Sequence, residues 1–485
     1  MKPVLLAVLL SLSLGAVDPD AATKQWWGHV TALSGDNLQG RDAASEGYRE
    51  AARYVVSEFE KAGLKPAGEK GYYQSVPLHE IRFQTEKSSV ALVRADGSTS
   101  LRWLHQISLT TREGLPARLD APLVFLGEKG GDASGKIAVV LNGRGPASIP
   151  GAVGVISIDN PNALETPRWP IQYSVSMRLR ESPPAGRPEA PVAMRFNPAE
   201  AELLFASSGH TYRELYAMTT PLPAFPLNAS LKASLSFTSA DVESDNIAAV
   251  LPGSDPVLSQ EYVVVSAHLD GYGLGEPWGS DNIYNGAFDD AAYVATLIDF
   301  AQNLKAAKQT LKRSILFCVV TAEEKGLLGS KYYAAHPTVP PARMVANVNL
   351  DQLRPIFPLK ILTMLAVGES TLGQTATTVA ASMGIRIQPD PEPGRNLLRR
   401  SDHWNFMQIG VPSTGFIFGF EKGTADEAAY REWYARRYHS PLDDLSQPWV
   451  PEAAAKFNTF FARFVTVLAN APERPQWLPG SPYRK

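Results

Sequence analysis

The sequence predicts an α/β fold, a mixed, mostly parallel sheet flanked by helices, with a β-rich segment inserted ahead of the main run of strands. Two observations carry that expectation. After about Val242, continuous apolar stretches alternate with helical ones, the pattern of a sheet covered on both faces. Between Glu86 and Asp241 the texture changes to short Val/Ile/Leu runs broken by Gly and Pro. APLVFLG, GKIAVVLNGRG and GAVGVISIDNP are examples, and such runs read as strands and turns.

The elements follow in chain order. At the start, MKPVLLAVLLSLSLGA places Lys2 before an apolar run from Val4 to Leu14, then the small residues Gly15 and Ala16. This is the layout of a secretory signal peptide, too short to span a bilayer comfortably, so residues 1–16 are expected to direct export to the periplasm or the medium. From Gln25 to Gly63 the pattern is helical. Ala51, Tyr54, Val55, Phe59 and Ala62 recur three and four residues apart, and Gly63 stands where a helix would stop. Within the β-rich stretch, NPAEAELLFASSG suggests a helix. Beyond it, AAVLPG, EYVVVSAHLD, RSILFCVVTAEE, MVANVNLD, ILTMLAVG and STGFIFG read as strands, while AYVATLIDFAQNLKAA and GLLGSKYYAAH read as helices. The simplest organisation is one α/β domain formed by 17–85 and 242–485, interrupted by an insert at 86–241.

Composition excludes several functions. Lys plus Arg total 46 against 49 Asp plus Glu, so no basic excess exists to neutralise the phosphates of nucleic acid or an anionic membrane. After the leader, no stretch is long and apolar enough to be an integral membrane segment. Cys318 is the only cysteine, which rules out an intramolecular disulfide. It lies in SILFCVV, where a buried, inert strand residue is expected rather than a nucleophile.

The chemistry concentrates at the ends of predicted strands. VVVSAHLD delivers His268, CVVTAEE delivers Glu323 and Glu324, and NVNLD delivers Asp351. In open α/β sheets ligands bind beyond the carboxyl ends of strands, so these segments can converge on one crevice. NGAFDD adds Asp289 and Asp290 just before a helix, and YHSPLDD adds His439 near the C-terminus. Each alone is weak. Together, two imidazoles and three carboxylates match two zinc sites that share one carboxylate and keep room for water. Asp270 is positioned to accept the second ring N–H of His268 and fix its tautomer. Of the adjacent Glu323 and Glu324, one can bind metal while the other takes a proton from metal-activated water.

AHLD, DNIYNGAFDD, TAEEKGLLGS, NLD, SDHWNF and YHSPLDD resemble, in that order, the di-zinc exopeptidases of the aminopeptidase Y and glutamate carboxypeptidase type. The resemblance runs from about Val242 to the C-terminus and includes the helical segment LSGDNLQGRDAASEGYREAARYVVSEFEKAGLKPAG. The central stretch is similar to the protease-associated domain that many members insert. The resemblance implies the zinc exopeptidase fold and two Zn²⁺ ions, one held by His268 and Asp351, the other by Glu324 and His439, with Asp289 bridging. It further implies Glu323 as general base, a cis peptide between Asp289 and Asp290, and a hydrogen bond from Tyr438 to the developing oxyanion, ring packing over the site being the alternative. In SDHWNF, Asp402 is expected to support or face the substrate and His403 to be structural. The chain departs from the usual GADDNASG pattern at Phe288 and Tyr293, which leaves the ligands intact but alters the pocket floor. Tyr272 and Trp278 are expected at the rim.

The implied activity is hydrolysis of N-terminal residues from peptides. Three alternatives remain: a one-zinc glutaminyl cyclase, a carboxypeptidase or dipeptidase using Arg399 or Arg400 to meet a carboxylate, and a binding protein that has lost catalysis.

Overall fold

The computed structural model describes residues 19–162, 168–184, 190–352 and 354–484. The expected signal peptide, 1–16, lies outside the described residues.

The apolar runs form the centre of a ten-stranded mixed sheet among the described residues. Its heart is four parallel strands in the order Ser413–Phe418, Met344–Leu350, Tyr262–His268 and Ser314–Val320. Both faces are covered, which is why these strands are apolar without alternation. Val263, Val265, Phe317 and Val319 pack into the larger core, with helices Pro19–Leu33, Glu46–Ala62, Ala292–Ala306 and Pro451–Asn470. Val264, Leu316, Cys318 and Val320 face the opposite side, against Tyr333 and Phe406. Cys318 is therefore the buried strand residue expected, and burial pushes its thiol pKa well up. The flanks are antiparallel: Phe237–Leu251, Tyr73–Phe83 and Val175–Leu179 on one side, Ile361–Met364 on the other.

Local signals account for the helix ends. Ser45 caps Glu46–Ala62 by accepting from the Tyr48 N–H, and Gly63 ends the helix with φ +83°, a left-handed conformation that costs glycine least. Ala292–Ala306 follows the acidic pair Asp289–Asp290, whose peptide bond is cis. Asp299 in this helix is buried with Oδ1 unpartnered, and burial raises its pKa to about 7. Below the ordinary value of 3.8 the carboxyl is neutral in folded and unfolded chains alike. Between there and about pH 7 the folded chain keeps a proton that the unfolded chain releases, so stability falls as pH rises and stays lowered above that window. Asp299→Asn keeps an acceptor for the Asn303 amide. It is expected to stabilise the protein by about 2 kcal/mol at pH 8 and hardly at all near pH 4, as read by thermal unfolding at both pH values.

A second, eight-stranded sheet among the described residues, with its own apolar core, is built from strands between Ser89 and Ser234. The helix suggested by NPAEAELLFASSG is a single turn, Glu202–Phe205, preceded by a tighter one. Among the described residues, one strand lying wholly within the 86–241 span does not join this sheet. Val175–Leu179 crosses over and pairs with Tyr73–Phe83 at the edge of the large sheet. A hairpin unseen in the sequence pairs Gly273–Trp278 with Asp281–Tyr284.

Candidate metal centre

Because the central strands run parallel, their carboxyl ends share one edge of the sheet, and the chemistry-bearing residues meet there. His268 is the last residue of its strand, Asp351 follows Met344–Leu350, and Glu323 and Glu324 follow Ser314–Val320. His268 Nδ1 lies 3.0 Å from the main-chain carbonyl of Asp270, to which it can donate, leaving Nε2 aimed into the site. That Nε2 is 3.3 Å from Asp289 Oδ1 and 4.0 Å from Asp351 Oδ1. His439 Nε2 is 3.3 Å from Asp289 Oδ2 and 3.3 Å from Glu324 Oε2. Asp289 thus offers one oxygen to each imidazole. Ligand atoms of His268, Asp289 and Glu324 all lie within 4.8 Å of one another.

The donor set fits metal. His268 Nε2, Asp289 Oδ2 and Asp351 Oδ1 are buried without a hydrogen-bond partner, a costly state unless another group satisfies them. Charge argues the same way. Burial would lower the His268 pKa, yet Asp290, Glu323, Asp289 and Asp351 outweigh it and hold the pKa well above its usual value. Burial raises Glu324 to about 7 and pushes Glu323 well up, with Asp351 and Asp402 adding to the latter. So many buried carboxylates around two imidazoles call for cations, and N/O donors of this kind suit zinc.

Supporting contacts hold these groups in place. The Asp270 carboxylate accepts from the backbone N–H of Glu323 at 3.0 Å and of Glu324 at 3.3 Å. It lies 3.8 Å from His268 Nδ1, so the tautomer-fixing role expected of that carboxylate falls to the main-chain carbonyl of the same residue. The carboxylate turns away because two orphan N–H groups at the Glu-Glu turn face it. Asp290 accepts from the His268 and Gln352 N–H groups. Asp443, which sequence reasoning passed over although YHSPLDD contains it, accepts from the Phe288 and Asp289 N–H groups and from Gln447. Arg41, also missed, is fully buried and donates to the carbonyls of Leu33, Leu269, Asn285 and Gly286.

The remaining expected residues divide. Tyr438 stacks on the His439 ring at 3.6 Å between centroids, which is the packing alternative. Asp402 is buried, accepts from Ser330 Oγ at 2.5 Å, and is raised to about 7 by burial. His403 is buried beneath Gly415, and burial lowers it to about 4. Beside Asp351 a small open cleft is walled by Leu365, Leu397, Phe416 and Ile417, with the exposed Arg400 also lining it. Arg399 turns away and covers Trp404. Of the two expected rim aromatics, Trp278 is 38% exposed, whereas Tyr272 reaches inward to His439 Nδ1, 3.1 Å from its hydroxyl.

Residues 246–465 match the sequence model of Peptidase family M28. The matched segment contains all five candidate ligands. Among curated relatives, the chain is 27% identical over 218 residues to leupeptin-inactivating enzyme 1 of Streptomyces exfoliatus, covering 43% of this chain and 45% of that one. Against aminopeptidase YwaD of Bacillus subtilis the identity is 26% over 189 residues, covering 38% of this chain and 36% of the relative. The matched region therefore spans less than half the length of these relatives. The fold extends further. The structure of an aminopeptidase from Aneurinibacillus sp. strain AM-1 superposes with a TM-score of 0.62 at 18% identity, covering 94% of this chain and 97% of that one. The zinc aminopeptidase BSAP from Bacillus subtilis gives a TM-score of 0.57 at 18% identity, covering 93% and 95%.

Proposed function

We propose that the protein is an exported zinc aminopeptidase that removes N-terminal residues from peptides. The observation that carries this reading is Asp289, whose two carboxylate oxygens each stand 3.3 Å from a different imidazole Nε2. His268 and Asp351 would hold one zinc, Glu324 and His439 the other, and Asp289 both. Zinc bound there would act as a Lewis acid and lower the pKa of water at the site. Glu323 is the residue left to move the proton, first taking it from the attacking water, then returning it to the leaving amine. The cleft beside Asp351 would take the terminal side chain, and Asp402, with Ser330, would support Glu323 from behind. Tyr438 keeps its second proposed role, a hydrogen bond to the developing oxyanion.

The span 86–241 is proposed to be a protease-associated-like insert, supported by its separate apolar core, and 17–85 with 242–485 the peptidase proper. Export rests on the leader at residues 1–16. Among the described residues no helix is long and apolar enough to cross a membrane.

Two measurements test the reading. The purified chain should carry close to two zinc ions; a single tightly held ion would favour the cyclase. Matched peptides with free and N-acetylated termini should differ at least about 100-fold in cleavage, on the order of one lost charge-assisted contact. Equal cleavage of the two would eliminate the aminopeptidase mode.

A further inference from the structure

His439, like Asp289, is a candidate ligand outside the strand ends. It sits in the short loop after helix Ala425–Arg436, and its φ of +53° is a left-handed conformation that a non-glycine residue adopts only when its surroundings enforce it. Part of those surroundings comes from the β-rich insert. Its segment 168–173 lies across this loop. Arg168 donates to the carbonyls of Tyr434 and Arg436, at the end of the helix that leads into His439. Gln172 Nε2 donates to the carbonyl of His439 itself at 3.0 Å. The Gln172 carbonyl in turn accepts from Glu276 N–H at 2.7 Å, which ties the segment to the hairpin beside the site.

A second route reaches the imidazole. The Tyr173 hydroxyl donates to Asp42 at 3.1 Å and accepts from the buried ammonium of Lys325. That ammonium lies 5.0 Å from the ring centroid of Tyr272, and the Tyr272 hydroxyl faces His439 Nδ1 at 3.1 Å. A partner on the second ring nitrogen sets the tautomer and orientation of a ligating histidine. Among the described residues none of the corresponding contacts reaches His268, whose Nδ1 is served from its own strand end by the Asp270 carbonyl.

We infer that segment 168–173 of the insert positions His439, so that one of the two metal sites, formed by Glu324 and His439, depends on the insert while the His268–Asp351 site does not. This rests on the two-metal reading above. Gln172 and Arg168 are positioning residues, and Tyr272 conveys the second route.

The test is zinc titration of the metal-stripped full chain, by competition with a chromophoric chelator, for wild type, Gln172→Ala, Gln172→Glu and the double variant Arg168→Ala/Gln172→Ala. Gln172→Glu keeps the shape but removes the donor. His439→Ala marks which of the two binding transitions belongs to its site. The expected result is a 10–100-fold weakening of that transition alone, with Gln172→Glu as damaging as Gln172→Ala and the other transition unmoved. Thermal melts in excess chelator should be superimposable for wild type and the Gln172 variants. Unchanged affinity at the marked site, or equal weakening of both, would overturn the inference. A wild type showing no second transition would instead overturn the two-metal reading on which it rests.

Discussion

Glu323→Gln should lower kcat/KM for a cleaved peptide by at least about 10³-fold while leaving bound zinc unchanged. The amide is isosteric and cannot take a proton from water at neutral pH, and losing a positioned general base typically costs 10²–10⁴-fold. Zinc content should hold because the oxygens proposed to face the metal belong to Asp289, Glu324 and Asp351, each within 4.0 Å of an imidazole Nε2, while Asp270 holds Glu323 through its backbone N–H. Metal analysis beside steady-state kinetics separates the outcomes. Surviving hydrolysis would remove Glu323 from its role, whereas lost zinc would make it a ligand.

Arg41→Met should destabilise the protein severely. The guanidinium is fully buried and meets four main-chain carbonyls from three stretches of chain. Burial lowers its pKa to about 10, so it remains charged at neutral pH, with Asp443, Asp270, Asp290 and Asp289 around it. Methionine fills much of the volume and satisfies none of the carbonyls. At 1–3 kcal/mol for each buried acceptor left without a donor, partly relieved by relaxation, the expected loss is about 4 kcal/mol. Urea denaturation should show it as a lower midpoint with little change in slope. Two of the freed carbonyls, Asn285 and Gly286, lie immediately before the Asp289 turn, and a third, Leu269, adjoins His268. Zinc affinity should therefore fall alongside stability. A loss below about 0.5 kcal/mol, inside the range of ordinary surface changes, would show that water replaces the guanidinium at little cost.

These two residues mark what a single sequence reveals. Glu323 was legible because it ends an apolar strand next to another acid, and strand ends gather ligands by topology. His268, Glu324 and Asp351 were legible for the same reason, Asp289 as half of an acid pair opening a helix, and the structure brings them together with His439. Arg41 was not. Its partners lie up to 245 positions away and are backbone carbonyls, which carry no side-chain signature. Asp443 lay inside a recognised motif, but its task, holding the Asp289 turn by two N–H groups, depends on a turn conformation that spacing does not disclose. Asp270 shows a subtler limit. Its proximity to His268 was readable, whereas the turn of its carboxylate toward the Glu-Glu N–H groups depends on a backbone direction. The strands of the β-rich stretch were readable as texture, but their pairing was not, since short Val/Ile/Leu runs separated by turns fit many orders.

The crossing strand Val175–Leu179 makes the two halves of this molecule inseparable by simple surgery. A gene cut that removed 86–241 and rejoined the ends would take away a border of the large sheet as well as the smaller one. The eleven-residue strand Tyr73–Phe83 would then present an open row of amide and carbonyl groups to other chains. A truncated version should therefore precipitate or self-associate through that margin, and a shortened catalyst would need the crossing strand grafted back rather than the whole insert deleted.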